Sequence, residues 1–171
     1  MKFLVDAPLG GLAKWLRFCG FDVELRPLPL GKAPRLPEPV AERFILTAQA
    51  ALGRLGRADV VVLAGTTPEA QLREVCQRLH LKRQDLEPLS RCPRCNRELT
   101  PLPRDRARGQ VPDHVFTAQR EFYQCPGCGR IFWPGSHTLA IVAQLDRIFG
   151  GRRQSTSRTG TSLSAGDPHE H

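Results

Sequence analysis

The sequence predicts an α/β fold: a parallel sheet flanked by helices, followed by a small metal-binding ribbon. Three observations carry this. The chain opens "KFLVD", "APLGGLAKWLRFC", "FDVEL", and two strands joined through a helix pair in parallel. "ADVVVLAG" (58–65) is a continuous apolar, β-branched run, the pattern of a strand buried on both faces. Two C-x-x-C pairs, Cys92/Cys95 and Cys125/Cys128, stand 29 residues apart.

Taken in order, residues 2–6 read as the first strand and 8–19 as a helix. Leu9, Leu12, Ala13, Leu16 and Cys19 recur at helical spacing, with Lys14 and Arg17 off that face. Gly20 ends the helix as a C′ glycine. Residues 21–25 form a second strand. Five prolines between 26 and 40 predict an extended loop, because proline removes donors and disfavours helix in its neighbours. "RFILT" (43–47) is a third strand, with a short helix or turn after it, and 58–65 is the fourth. Residues 66–81 form a helix capped by Thr66 or Thr67, with Pro68 at its first position. A second module starts near Ser90. Its closing helix, 135–150, has Ser136 as cap and takes apolar contacts from Leu139, Val142, Ala143, Ile148 and Phe149. The expected boundaries are 1–86 for the α/β domain, 87–149 for the ribbon with its helix, and 150–171 for a Ser/Thr/Gly/Arg-rich tail that cannot bury a core.

The 171 residues carry 25 Lys+Arg against 17 Asp+Glu, a net charge of +8. That balance points to a polyanionic partner, most simply nucleic acid. No apolar run approaches the ~20 residues of a membrane span. The N-terminus lacks a signal-peptide pattern. The expectation is a cytoplasmic protein with no membrane partner.

Cysteine thiolates in two matched C-x-x-C pairs suit tetrahedral zinc. Four Cys ligands leave no open position, which implies a structural site. Cys19 and Cys76 lie on apolar helix faces and read as core thiols. Arginines, among them Arg94 and Arg97, surround the knuckles, with aromatics interleaved. That mixture suits single-stranded nucleic acid. Phe122 and Phe132 read as the ribbon's own core. For Tyr123 and Trp133 both base stacking and core filling remain open.

Acids at the ends of parallel strands lie where open α/β sheets place their sites. Asp6 and Asp22 end, or nearly end, the first two predicted strands. Neighbouring carboxylates there hold Mg²⁺ or Mn²⁺, and such ions activate water and clamp a phosphodiester.

"FLVDAPLGGLAKWLRFCGFD", "RFILTAQ", "TTPEAQLREV", "RCPRCNREL" and "HVFTAQREFYQCPGCGRIFWPGSH" resemble the mut-seven C-terminal RNase family over roughly residues 2 to 140. The resemblance implies a PIN-like nuclease domain followed by a zinc ribbon, and metal-dependent cleavage of RNA by a carboxylate cluster. It places the family's first acid on Asp6, the acid closing its first motif on Asp22, and its basic helix positions on Lys14 and Arg17, facing a phosphate backbone. The chain departs from the family at L-T-R-D-R, which reads Leu46-Thr47-Ala48-Gln49-Ala50. The cluster's Asp is Gln49 here. The usual acidic D-D-x-E-L helix is replaced by the proline-rich segment, whose only carboxylates are Glu38 and Glu42. The expectation is therefore a degenerate site on a protein that binds RNA. The alternative is an active ribonuclease using Asp6, Asp22 and Glu42 or Glu38.

Overall fold

A computed structural model describes residues 1–29 and 36–149. Part of the proline-rich loop and the whole of the tail lie outside the described residues.

The α/β fold is as expected. β1 (Lys2–Asp6), β2 (Asp22–Arg26), β3 (Arg43–Thr47) and β4 (Val60–Val62) form one parallel sheet in the order β2-β1-β3-β4. Side chains alternate across it. Phe3, Val5, Val23, Leu46 and Val61 face one side and pack on α1 (Gly10–Phe18), α3 (Pro68–Arg78) and α6 (Ser136–Phe149). Leu4 and Ile45 face the other side, against Leu28 and Leu52 of the short α2 (Ala50–Gly53). A run that is apolar on both faces therefore becomes a sheet covered on both faces.

α3 starts where its signals place it: the Thr67 hydroxyl accepts from the Ala70 N–H and Pro68 is the first helical residue. It stops short of 81. His80 turns left-handed at φ 53°, and the Leu81 N–H returns to the Cys76 carbonyl at 2.9 Å, closing the end as a Schellman turn. The strand expected over 58–65 pairs only at Val60–Val62, because β3 ends at Thr47.

The second module is a three-stranded antiparallel sheet, β5 (Thr100–Leu102), β6 (Phe122–Gln124) and β7 (Ile131–Phe132), in the order β5-β6-β7. The arginine-rich insert folds as α4 (Arg104–Ala107) and α5 (Asp113–Ala118). Ala107, Val111 and Val115 bury Phe122 between them. α6 returns to the first module, where Ile141 and Leu145 complete the main core. The expected contact face of this helix is corrected at Leu139, which is 64% exposed, and at Ala143, also exposed, because the helix rolls Ile141 and Leu145 inward. Cys19 and Cys76 both lie buried in the main core.

The link between modules runs tightly over the end of α1. Gly20 sits there at φ 95°, and a Cβ on it would lie 2.5 Å from the Glu87 carbonyl oxygen. Both the backbone region and the close approach exclude a side chain. Gly20→Ala is expected to cost about 2 kcal/mol or more of unfolding free energy in a denaturant titration. A loss below about 0.5 kcal/mol would mean the link is not packed as described.

Candidate functional site

Asp6 ends β1 and is 2% exposed. A buried carboxylate needs partners, and three donors supply them. Oδ1 accepts the Leu28 N–H at 3.0 Å. Oδ2 accepts the Thr47 hydroxyl at 2.9 Å and the Gln49 amide Nε2 at 2.6 Å. The Gln49 N–H closes the ring on Thr47 Oγ1 at 3.1 Å. An ionised carboxylate offers about four acceptor positions, so internal donors take most of them. Gln49 Oε1 is left buried with no partner.

The other expected acids are elsewhere, which corrects the neighbouring-carboxylate expectation. β1 and β2 are parallel with Lys2 opposite Asp22 and Asp6 opposite Arg26. Asp22 thus opens β2, and four residues of strand, about 13 Å, separate its level from that of Asp6. Glu42 precedes β3 at the same far edge. Its carbonyl accepts the Lys2 N–H at 2.8 Å, and its exposed carboxylate lies 3.8 Å from the N-terminal ammonium. Glu38 is exposed, and its carbonyl accepts from Arg43 at that edge. Among the described residues, no group of three carboxylates meets around Asp6. The residues at this end do not fit a Mg²⁺ or Mn²⁺ ion.

Asp22 has a different task. β2 is an edge strand, and Val23 turns both its backbone groups outward. Asn96 Oδ1 takes the Val23 N–H at 2.9 Å, and Arg17 Nη2 donates to the Val23 carbonyl at 2.9 Å. Asn96 Nδ2 donates to Asp22 Oδ1 at 2.6 Å. Arg17 Nη1 reaches across to the Pro93 and Arg94 carbonyls at 3.2 and 3.1 Å. Arg91 Nε donates to the Gly20 carbonyl at 3.1 Å. Arg17 and Asp22, given catalytic or phosphate-facing roles by the resemblance, and Gly20, read as the end of the helix, all hold the first knuckle against the sheet. The expectation that Arg17 meets a phosphate is corrected: its fork is spent on three carbonyls. Burial pulls its pKa down, against the pull of the nearby Cys92, Cys95 and Asp22.

The knuckles themselves repeat one geometry. The Cys92 N–H bonds to the Arg97 carbonyl and the Cys125 N–H to the Arg130 carbonyl, at 2.8 and 2.9 Å. The Asn96 and Gly129 N–H groups return to Cys92 and Cys125, at 2.9 Å each. Asn96 and Gly129 are both left-handed, at φ 65° and 72°. The four sulfurs lie within 4.8 Å of one another. Cys92 and Cys128 are 3.8 Å apart, the edge of a tetrahedron with bonds of about 2.3 Å to a central zinc. The donor set fits a structural zinc-type site. The Arg130 N–H helps hold the Cys128 thiol down at about 7. Sharing hydrogens with Cys128 holds Cys95 up at about 12, so a bound cation displaces protons.

The remaining expected contacts divide. Lys14, Arg94 and Arg97 are exposed. Arg94 and Arg97 flank the first knuckle, and the Arg97 stem lies against Gly127 of the second. Tyr123 and Trp133 are half-buried and line a pocket of about 350 Å³ with Phe132, rimmed by Glu87 and Glu121. Sequence reasoning missed Thr47, and it read Asn96 as a residue suited to the left-handed turn after the first knuckle, not as the clamp on Val23 and Asp22. The turn was legible because an asparagine after a C-x-x-C matches the glycine after the other pair, but the clamp was not, since its partners lie more than seventy positions away. No described helix is long and apolar enough to cross a membrane.

A model of the Mut7-C RNAse domain matches residues 1–145. No curated protein matches, and no solved structure matches.

Asn96→Gly keeps the left-handed turn and removes only the side-chain clamp. It is expected to cost about 1–2 kcal/mol in chemical unfolding. Asn96→Ala adds backbone strain and is expected to cost about 1 kcal/mol more. Equal stability of all three proteins would show that the clamp carries no energy.

Proposed function

The chain belongs to the Mut7-C RNAse domain family, and on that premise we propose that it binds RNA while its nuclease site is degenerate. One observation carries this reading: the Gln49 amide donates to Asp6 where the family pattern has a second carboxylate. Two carboxylates at that distance repel and call for a cation. An amide and a carboxylate bond directly and call for none. The active-enzyme alternative asks for Asp6 with Asp22 and Glu42, and these occupy opposite ends of the strands.

RNA binding draws support from the +8 charge, from exposed Lys14 on α1 and from exposed Arg94 and Arg97 beside the first knuckle. Tyr123 and Trp133 offer flat walls to a base. Glu87 and Glu121 on that rim disfavour a phosphate there but accept hydrogen bonds from a base's amino edge. Zinc held by Cys92, Cys95, Cys125 and Cys128 supplies a closed structural node with no catalytic position. Arg17 sits beside it as a fixed positive charge and holds two knuckle carbonyls.

A nuclease assay with Mn²⁺ is expected to give background cleavage for wild type and for Asp6→Asn alike. Activity lost on Asp6→Asn would overturn the degenerate reading. Gln49→Asp places like charges together and is expected to lower stability at neutral pH by about 2 kcal/mol. Added Mn²⁺ is expected to raise the melting temperature of this variant and leave wild type unmoved. Metal analysis of purified protein is expected to find one zinc per chain, lost on Cys92→Ser. A metal-free folded protein would remove the zinc assignment.

A further inference from the structure

A pocket of about 650 Å³ opens where the last turns of α3 and α6 meet, with Arg73, His80, Lys82 and Arg147 around it and Ile148 and Phe149 as an apolar wall. The four basic side chains are exposed. Among the described residues, no carboxylate lines the pocket. Acids nearby in sequence are spent elsewhere: Glu69 on Gln144, Glu74 on Arg78 and the Ala64 and Gly65 N–H groups, Asp85 on the Lys82 N–H, and Asp146 on Arg83. The α3 C-terminus would ordinarily repel an anion, but here the Cys76 and Gln77 carbonyls are taken up by the Leu81 and His80 N–H groups. Three cations and an imidazole with no counter-charge among the described residues make an anion site of this hollow.

The arrangement also selects among anions. Two guanidinium forks suit phosphate oxygens, and Phe149 beside them offers a face for a base. That pairing of charge and apolar wall fits a nucleic-acid strand better than a free phosphate. α6 starts beside the ribbon's aromatic pocket and ends in this one, so the two are separated by its 14 residues, about 20 Å.

We propose that this pocket is a second RNA-binding site, taking the phosphodiester backbone between Arg73, His80, Lys82 and Arg147 with a base against Phe149. The inference rests on the RNA-binding reading and adds a face that the cysteine knuckles do not share.

The test is fluorescence anisotropy of a short labelled oligouridylate over a KCl series, with wild type, Arg73→Gln/Arg147→Gln and Arg94→Gln/Arg97→Gln. All four side chains are exposed, and melting curves check that each variant folds. Arg73→Gln/Arg147→Gln is expected to weaken binding about tenfold at low salt and to flatten the log–log salt slope by about 1.4, the share of two single-strand phosphate contacts. Inorganic phosphate at matched ionic strength is expected not to displace the oligonucleotide. Wild-type affinity and slope in the Arg73→Gln/Arg147→Gln variant would overturn this site alone. Displacement by inorganic phosphate would reassign it to a small anion and overturn the proposal. A wild-type protein that binds no oligonucleotide would overturn both the site and the reading beneath it.

Discussion

The structure depends on the covering of one strand edge. β2 ends the sheet on one side, and its Val23 N–H and carbonyl point away from β1. An open edge is a template for pairing with other chains. Here Asn96 and Arg17 close it from opposite sides, one as acceptor and one as donor. Both also reach the first cysteine knuckle: Asn96 belongs to it, and Arg17 holds its Pro93 and Arg94 carbonyls. The same few bonds protect the sheet, seat the ribbon and fix two of the four thiols relative to the core. Metal site and α/β domain are thereby coupled. The second knuckle has only Gly129 at the equivalent turn and makes no such clamp.

At the other end of the sheet a single carboxylate is held by the local structure instead of by a cluster of acids. Asp6 remains buried, and the local structure uses it. It anchors Leu28 after β2, Thr47 at the end of β3 and Gln49 before α2. A carboxylate with three protein donors serves as a fastening for three segments. A metal cluster needs the opposite arrangement, with several carboxylates and few donors, so that the cation supplies the missing charge. An amide in place of an acid favours the fastening over the cluster, because it adds a donor where a second negative charge would stand. The orphaned Gln49 Oε1 marks what remains polar and unused there.

Much of the fold was legible along the chain. The β-branched and apolar runs gave the strands, Thr67 and Pro68 gave the start of α3, and two C-x-x-C pairs gave the ribbon, because each signal is local. The failures were relational. Asp22 was placed at the functional end of a strand because an acid beside an apolar run draws attention at either end; its position at the start of the 21–25 run already argued against that, and pairing with Lys2 puts it at the opposite edge from Asp6. Leu139 looked like a core contact because a helix with apolar residues on several sides does not reveal which face its neighbours will accept. Arg17 looked free for phosphate because its three carbonyl partners are contributed by residues about seventy positions away as well as by Val23.

By itself, then, the sequence determined the element types, the tetrahedral donor set and the absence of an acid at position 49, since these follow from residue identity and short-range spacing. The tertiary structure decided what the acids and arginines do. Parallel register sent Asp6 and Asp22 to opposite edges. The packing of the ribbon on β2 turned a motif that reads as catalytic into a docking seam. The meeting of α3 and α6 gathered basic side chains from two distant stretches of the chain, Arg73, His80 and Lys82 with Arg147, where no described carboxylate lines the hollow. Charges act through distance in space, and spacing along the chain does not supply that distance until the chain has folded.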